Sequence, residues 1–273
     1  MSRVLGSVVL LLAFACACLA PPPPGGTGRS TYSGRSKTPV PPASLLPTDI
    51  ANLFAWYKSD ALVTNLAGTS PPANGDSIRA WGDSSGNGRH LSTNNPTASG
   101  PTWSNATSAA KSQGVFAFAS GKQMRVGFSA LANTTVLVAW RTETTGGTHA
   151  VCDSTNTGNR QMVYVNSGDL FAMYSGAAFL TGGAVAQHTW NVQACIFSGS
   201  GNDTIVTNGV QAVNGTAGGD LMDGFNVGSD WNGANNLSLL DNVGEIIIYS
   251  RNLDVTTEIV PLTSYLRGRW GTP

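Results

Sequence analysis

Apolar residues in this chain come in short runs, rich in β-branched and aromatic side chains, with Gly, Asn, Ser, Thr and Asp clustered between them. Residues 134–140 (Thr-Thr-Val-Leu-Val-Ala-Trp) and 243–249 predict strands buried on both faces. Shorter strands are expected at 50–57, 78–81, 115–118, 189–197, 204–207 and 226–228. Asn166-Ser-Gly-Asp169 lies between apolar runs at 162–165 and 170–174 and predicts a hairpin, as does Asn208-Gly209. Helical spacing first arises at 258–267, where Pro261 is expected to kink or restart the helix. About ten or more short strands ending in one helix predict an all-β fold, an antiparallel β-sandwich or jelly roll.

Composition agrees. The chain has 273 residues, 33 of them glycine, and is only 11% charged, which suits short strands and turns in one large domain. The net charge of zero is unevenly placed. Residues 1–48 hold Arg3, Arg29, Arg35, Lys37 and no acid, whereas the rest carries the remaining eleven Lys/Arg against fifteen Asp/Glu. A mildly acidic domain excludes nucleic acid as the expected partner, because such binding needs a basic face.

Three segments follow. Residues 1–20 are an apolar leader with a basic start at Arg3 and small-residue cleavage candidates at Ala13-Phe-Ala15 and Ala15-Cys-Ala17. This pattern reads as a signal peptide, too short for the roughly 20 residues of a membrane span. A lipid anchor on Cys16 or Cys18 and a retained peptide docked in a membrane or assembly are the alternatives. Residues 21–48 hold eight of the fourteen prolines, a composition of extended, disordered linkers. The domain occupies 49–273. The expected location is secreted or cell-surface, with a virion surface as the alternative.

Beyond the leader, Cys152 and Cys195 remain. Either they pair, stabilising the fold by about 4 kcal/mol on the chain-entropy model, or they are buried free thiols.

Two end motifs carry a family resemblance. Trp56 and Asp60 precede Trp81-Gly-Asp83-Ser-Ser85-Gly86-Asn-Gly88, and Asn208-Gly209 follows. Gly244-Glu245-Ile-Ile-Ile-Tyr249 closes the domain, followed by Glu258, Tyr265, Leu266 and Trp270. With these residues the chain resembles the laminin-G-like branch of the concanavalin A-like lectin/glucanase superfamily over residues 50–270. Pro261 and the Pro-rich leader depart from that pattern. The resemblance implies a jelly roll that recognises glycans or proteins, in secreted adhesion modules or in tail and capsid-surface proteins of bacterial viruses. It also implies Ca²⁺, for which Asp83 or the pair Asp220 and Asp223 are the candidate ligands. The other reading of Asp83 is a structural Asx turn with Asn87, Gly86 and Gly88 supplying positive φ.

Sugar binding needs an exposed aromatic ring beside amide or carboxylate groups. Trp231, with Asp230, Asn232 and Asn235, offers that mixture best, and Trp103 with Asn105 second. Glycoside hydrolysis needs two carboxylates across one bond. Glu143 has no acid two or four positions away, Glu245 and Glu258 each have one only at i−4 (Asp241 and Asp254), and Asp220 and Asp223 fall on opposite faces of any strand. Glu245 is expected to be a structural acid bonded to loop backbone. The functional expectation is a non-catalytic, lectin-like or adhesive surface module for glycan or protein. Because one sugar contact gives only about −4 kcal/mol, a homo-oligomer or multivalent array is expected to supply affinity. The alternatives are a decoration or stabilising protein of a virion or cell-surface layer and, less favoured, a glycoside hydrolase or polysaccharide lyase.

Overall fold

A computed structural model describes residues 45–93, 100–105, 113–199, 201–231 and 237–272. The leader, the linker up to residue 44, Asn232 and Asn235 lie outside these. Two antiparallel sheets pack face to face. The back sheet runs in the order Val210–Gly215, Asp203–Thr207, Trp190–Phe197, Thr134–Arg141, Asn242–Tyr249, Val115–Ala117, Thr102–Ser104, and Leu53–Lys58 also pairs with Asn242–Tyr249. The front sheet runs Phe179–Ala184, Leu170–Tyr174, Met162–Val165, His149–Asp153, Phe225–Val227, Met124–Val126, Leu91–Ser92, Ile78–Trp81, Val63–Asn65. The all-β sandwich expected from the apolar runs is the fold.

The inter-sheet core follows the period-2 alternation of strands. Val136, Val138 and Trp140 of the back sheet meet Val163, Val165, Phe171 and Met173 of the front sheet. Trp81, Trp140, Phe116, Phe171, Phe197 and Phe225 are fully buried, and each large apolar side chain contributes about 1.5–3 kcal/mol by leaving water. Cys152 and Cys195 are free thiols in this core, which corrects the disulfide expectation. They pack among apolar neighbours as small hydrophobes, and burial pushes both thiols up, away from thiolate chemistry.

The C-terminal segment opens with a π-helical turn, Val255–Ile259, and continues as an α-helix, Val260–Trp270. Asp254 caps it by accepting from the N–H groups of Thr256 and Thr257. Pro261 sits in the first α-helical turn, where a missing N–H breaks no bond, so it restarts the helix.

Candidate functional site

The two sheets differ in what covers them. On the back sheet, Leu137, Ala139, Val192, Ala194 and Ile247 face outward and are buried by Ile259, Leu262, Leu266 and Trp270 of the C-terminal segment. Glu245 lies at that interface, fully buried. Its carboxylate accepts from Trp56 Nε1 (2.7 Å), Tyr265 Oη (3.0 Å), Trp270 Nε1 (3.2 Å) and Arg269 Nε (2.7 Å). Burial pushes the Glu245 carboxyl up, and Arg269 with the indole donors offsets part of that. Glu245 is thus structural, but its partners are side chains rather than the expected loop backbone.

Among the described residues no helix covers the front sheet's outer face. At one end Ala150, Met162, Tyr164 and Ala172 form a thin apolar layer with Tyr174. Phe179, on the edge strand, is 66% exposed. Its ring stands 4.9 Å from Tyr174 and 5.8 Å from Tyr164. Thr148, Asn166 and Thr181 join Tyr164 and Phe179 around a hollow of about 210 Å³. An exposed ring beside hydroxyl and amide groups offers a sugar both a stacking face and hydrogen bonds.

Strand register continues this shelf into a polar row. Ser92 pairs with Arg125, Arg125 with Asn226, and Asn226 with Asp153, so their side chains share the outer face. Shelf and row together span seven strands, six spacings of ~4.8 Å or about 29 Å. Asp153 anchors the middle. Its Oδ2 accepts from Arg160 Nε (3.0 Å) and from the backbone N–H of Trp231 (3.0 Å). Burial pushes the Asp153 carboxyl up to about 6, with Arg160 and the N–H donors offsetting part of the cost. The Arg160 guanidinium also lies 5.5 Å over the Tyr174 ring. Arg160 therefore joins the carboxylate to the aromatic shelf.

The structure distributes the sequence candidates unevenly. Trp231 reaches the front face and hangs on Asp153 through its backbone. Asp230 is buried, its backbone carbonyl accepting from Asn226 Nδ2, so its carboxylate does not stand beside Trp231 as a surface group. Asn232 and Asn235 lie outside the described residues. Trp103 is elsewhere, on the edge of the back sheet. Asp220 Oδ2 accepts from the Arg160 N–H, and Asp223 Oδ2 from Asn156 Nδ2. Asp83 takes the N–H groups of Trp56, Ser85 and Arg89 and the Ser85 hydroxyl. Burial pushes Asp83 up, but these donors outweigh it and hold the carboxyl low. Gly86 and Gly88 have φ of +88° and +73°, as the Asx-turn reading requires. Among the described residues no three His, Cys, Asp or Glu side chains come together to hold a metal. Asp83 does not fit Ca²⁺, because its oxygens are committed to N–H and O–H donors.

Sequence reasoning missed Asp153, Arg160, Tyr174 and Phe179. Phe179 stands in Phe-Leu-Thr-Gly-Gly-Ala, which has no alternating signal, and Asp153 meets Trp231 only through the fold.

No protein-family model and no curated protein matches the chain. Solved structures do. Domain 4 of AbnA, a GH43 extracellular arabinanase from Geobacillus stearothermophilus in complex with arabinotriose, is 18% identical, with a TM-score of 0.53 over 79% of this chain and 98% of that one. Trypanosoma rangeli sialidase in complex with sialic acid is 13% identical, with a TM-score of 0.52 over 81% of this chain and 34% of that one. A mutant of the same sialidase with trans-sialidase activity is 12% identical, with a TM-score of 0.52 over 82% and 34%. The chain spans about a third of the length of these sialidases. At such identities the likeness establishes the β-sandwich. It nevertheless corrects the functional expectation. The matched sandwiches are parts of an arabinanase and of sialidases, against the lectin-like or adhesive surface module and the decoration protein expected from the sequence. Among the described residues no helix is long and apolar enough to cross a membrane.

Proposed function

We propose that this chain is a carbohydrate-active domain that engages a glycan along the outer face of its front sheet. The observation that carries the reading is Phe179, 66% exposed and packed on Tyr174 and Tyr164 at the end of a sheet face that no helix among the described residues covers. Phe179 takes the C–H face of a sugar ring. Thr148, Asn166 and Thr181 meet its hydroxyls. Arg160, held in place by the buried Asp153, and Arg125 and Ser92 further along the row are the polar groups that reach the surface beside it. The complex of the arabinanase domain with arabinotriose supports an oligosaccharide as the ligand class. Membership of the laminin-G-like branch and export through residues 1–20 belong to the same reading, since polymeric glycans are met outside the cell.

Calorimetric titration with an oligosaccharide panel that includes arabinotriose and a sialylated trisaccharide tests this. Phe179→Ala is expected to lower front-face affinity roughly tenfold. Arg160→Gln is expected to lower it too, by freeing Asp153. Assay of reducing ends on the same panel measures whether bonds are cut. Unchanged affinity in both variants, or binding of no oligosaccharide by the wild type, refutes the reading.

A further inference from the structure

A second hollow lies away from the front face. It is a cleft of about 460 Å³ at the sandwich edge, walled by Leu62, Pro71 and Trp103, with Asp60, Asn105 and Gln113 around it. Its construction is specific. Trp103 Nε1 donates to the Ser59 carbonyl (3.3 Å), which fixes the indole. The ring lies against Gly114 so closely that a Cβ there would stand 2.1 Å from Trp103 Cζ2. Leu62 is 58% exposed on the facing wall. Its polar groups are of both kinds: the Ser70 hydroxyl and the Asn105 and Gln113 amides donate as well as accept, and the Asp60 carboxylate only accepts. Gln113 Oε1 is buried and accepts no hydrogen bond from the described residues. Asp60 is half-exposed, with Oδ1 held by Arg269 Nη2 at 3.0 Å, which orients the carboxylate.

We propose that this cleft is a second glycan site, independent of the front face, and that it takes a neutral sugar. An immobilised indole presents a flat apolar wall to a ring's C–H face. Hydroxyl, amide and carboxylate groups beside it suit a ligand that both donates and accepts, as sugar hydroxyls do from several positions around one ring. The Asp60 carboxylate repels a uronate or other acidic sugar, so the cleft selects against charge.

Titration calorimetry on the full chain tests this with arabinotriose as the neutral probe and trigalacturonate as the acidic one. The Phe179→Ala variant isolates the cleft. In that background arabinotriose is expected to bind, and Trp103→Ala to weaken it by roughly tenfold or more. Gly114→Ala keeps the indole but displaces it, and Gln113→Leu removes the amide at nearly unchanged volume. Both are expected to weaken the same site while the melting temperature shows each variant folded. Trigalacturonate is expected to bind the cleft at least about tenfold more weakly than arabinotriose, and Asp60→Asn to narrow that gap. Loss of all arabinotriose binding in Phe179→Ala alone, unchanged affinity in Trp103→Ala and Gln113→Leu, or preference for trigalacturonate overturns the cleft. Full binding in Phe179→Ala with loss in Trp103→Ala overturns the front-face reading instead and upholds this one.

Discussion

Each sheet buries one carboxylate on its outer face, and the two are solved differently. Glu245, on the back sheet, takes two indole N–H donors, a tyrosine hydroxyl and a guanidinium, and the C-terminal segment seals over it. Asp153, on the front sheet, is as fully buried but takes one guanidinium and the backbone N–H groups of Ser154 and Trp231. A carboxylate surrounded by side chains from a docked helix is a clamp that joins elements distant in sequence. A carboxylate bonded to a single side chain, the Arg160 guanidinium, orients that arginine at the sheet surface. The same physics, burial offset by donors, closes one face and equips the other.

The largest test of the contrast is Glu245→Ala. It leaves Trp56, Tyr265, Arg269 and Trp270 without their acceptor, and a loss of about 3–5 kcal/mol is expected in urea unfolding. A loss below about 1 kcal/mol would deny that Glu245 clamps the helix.

Next is the pH dependence through Asp153. Its folded carboxyl is pushed up to about 6 from 3.8, so the folded chain binds this proton more tightly than the unfolded chain does. Stability from this group is therefore greatest below pH 4 and falls as pH rises to about 6, by on the order of 2–3 kcal/mol. Asp153→Asn abolishes that component. Subtracting its stability curve from the wild-type curve isolates the fall, and a flat difference between pH 4 and 6 would refute it.

Smaller effects bracket these. Asp254→Ala removes the cap of the covering segment and is expected to cost about 1 kcal/mol, read by the same unfolding experiment. Phe179→Ala is expected to change stability by less than about 0.5 kcal/mol, because the side chain is mostly exposed, while glycan affinity drops. A large loss of stability would make Phe179 part of the fold rather than of the face.

The strong strands were legible because both of their faces are buried. Thr134–Arg141 and Asn242–Tyr249 are continuous apolar runs for that reason: one side fills the inter-sheet core and the other is covered, by the C-terminal helix in the middle of the sheet. Edge strands were not. Phe179–Ala184 and Val210–Gly215 are largely exposed, so pairing rather than burial defines them, and pairing leaves no periodic mark. The Asp83 turn was legible for a different reason. Asx turns and positive-φ glycines act within a few residues of one another, and so can be read locally.

The sequence by itself determined the sandwich, the closing helix, the Asp83 turn and the burial of the strands at 134–140 and 243–249, all of which rest on local pattern and hydrophobicity. Tertiary structure alone decided which sheet face stays open. That choice depends on where a helix at 260–270 docks, and it brings Glu245 beside Trp56 across 189 positions. It likewise decided that Asp153 meets Trp231 across 78 positions and that Phe179 stacks on Tyr174. Strand register carries such meetings, and register is fixed by the whole sheet rather than by any one segment.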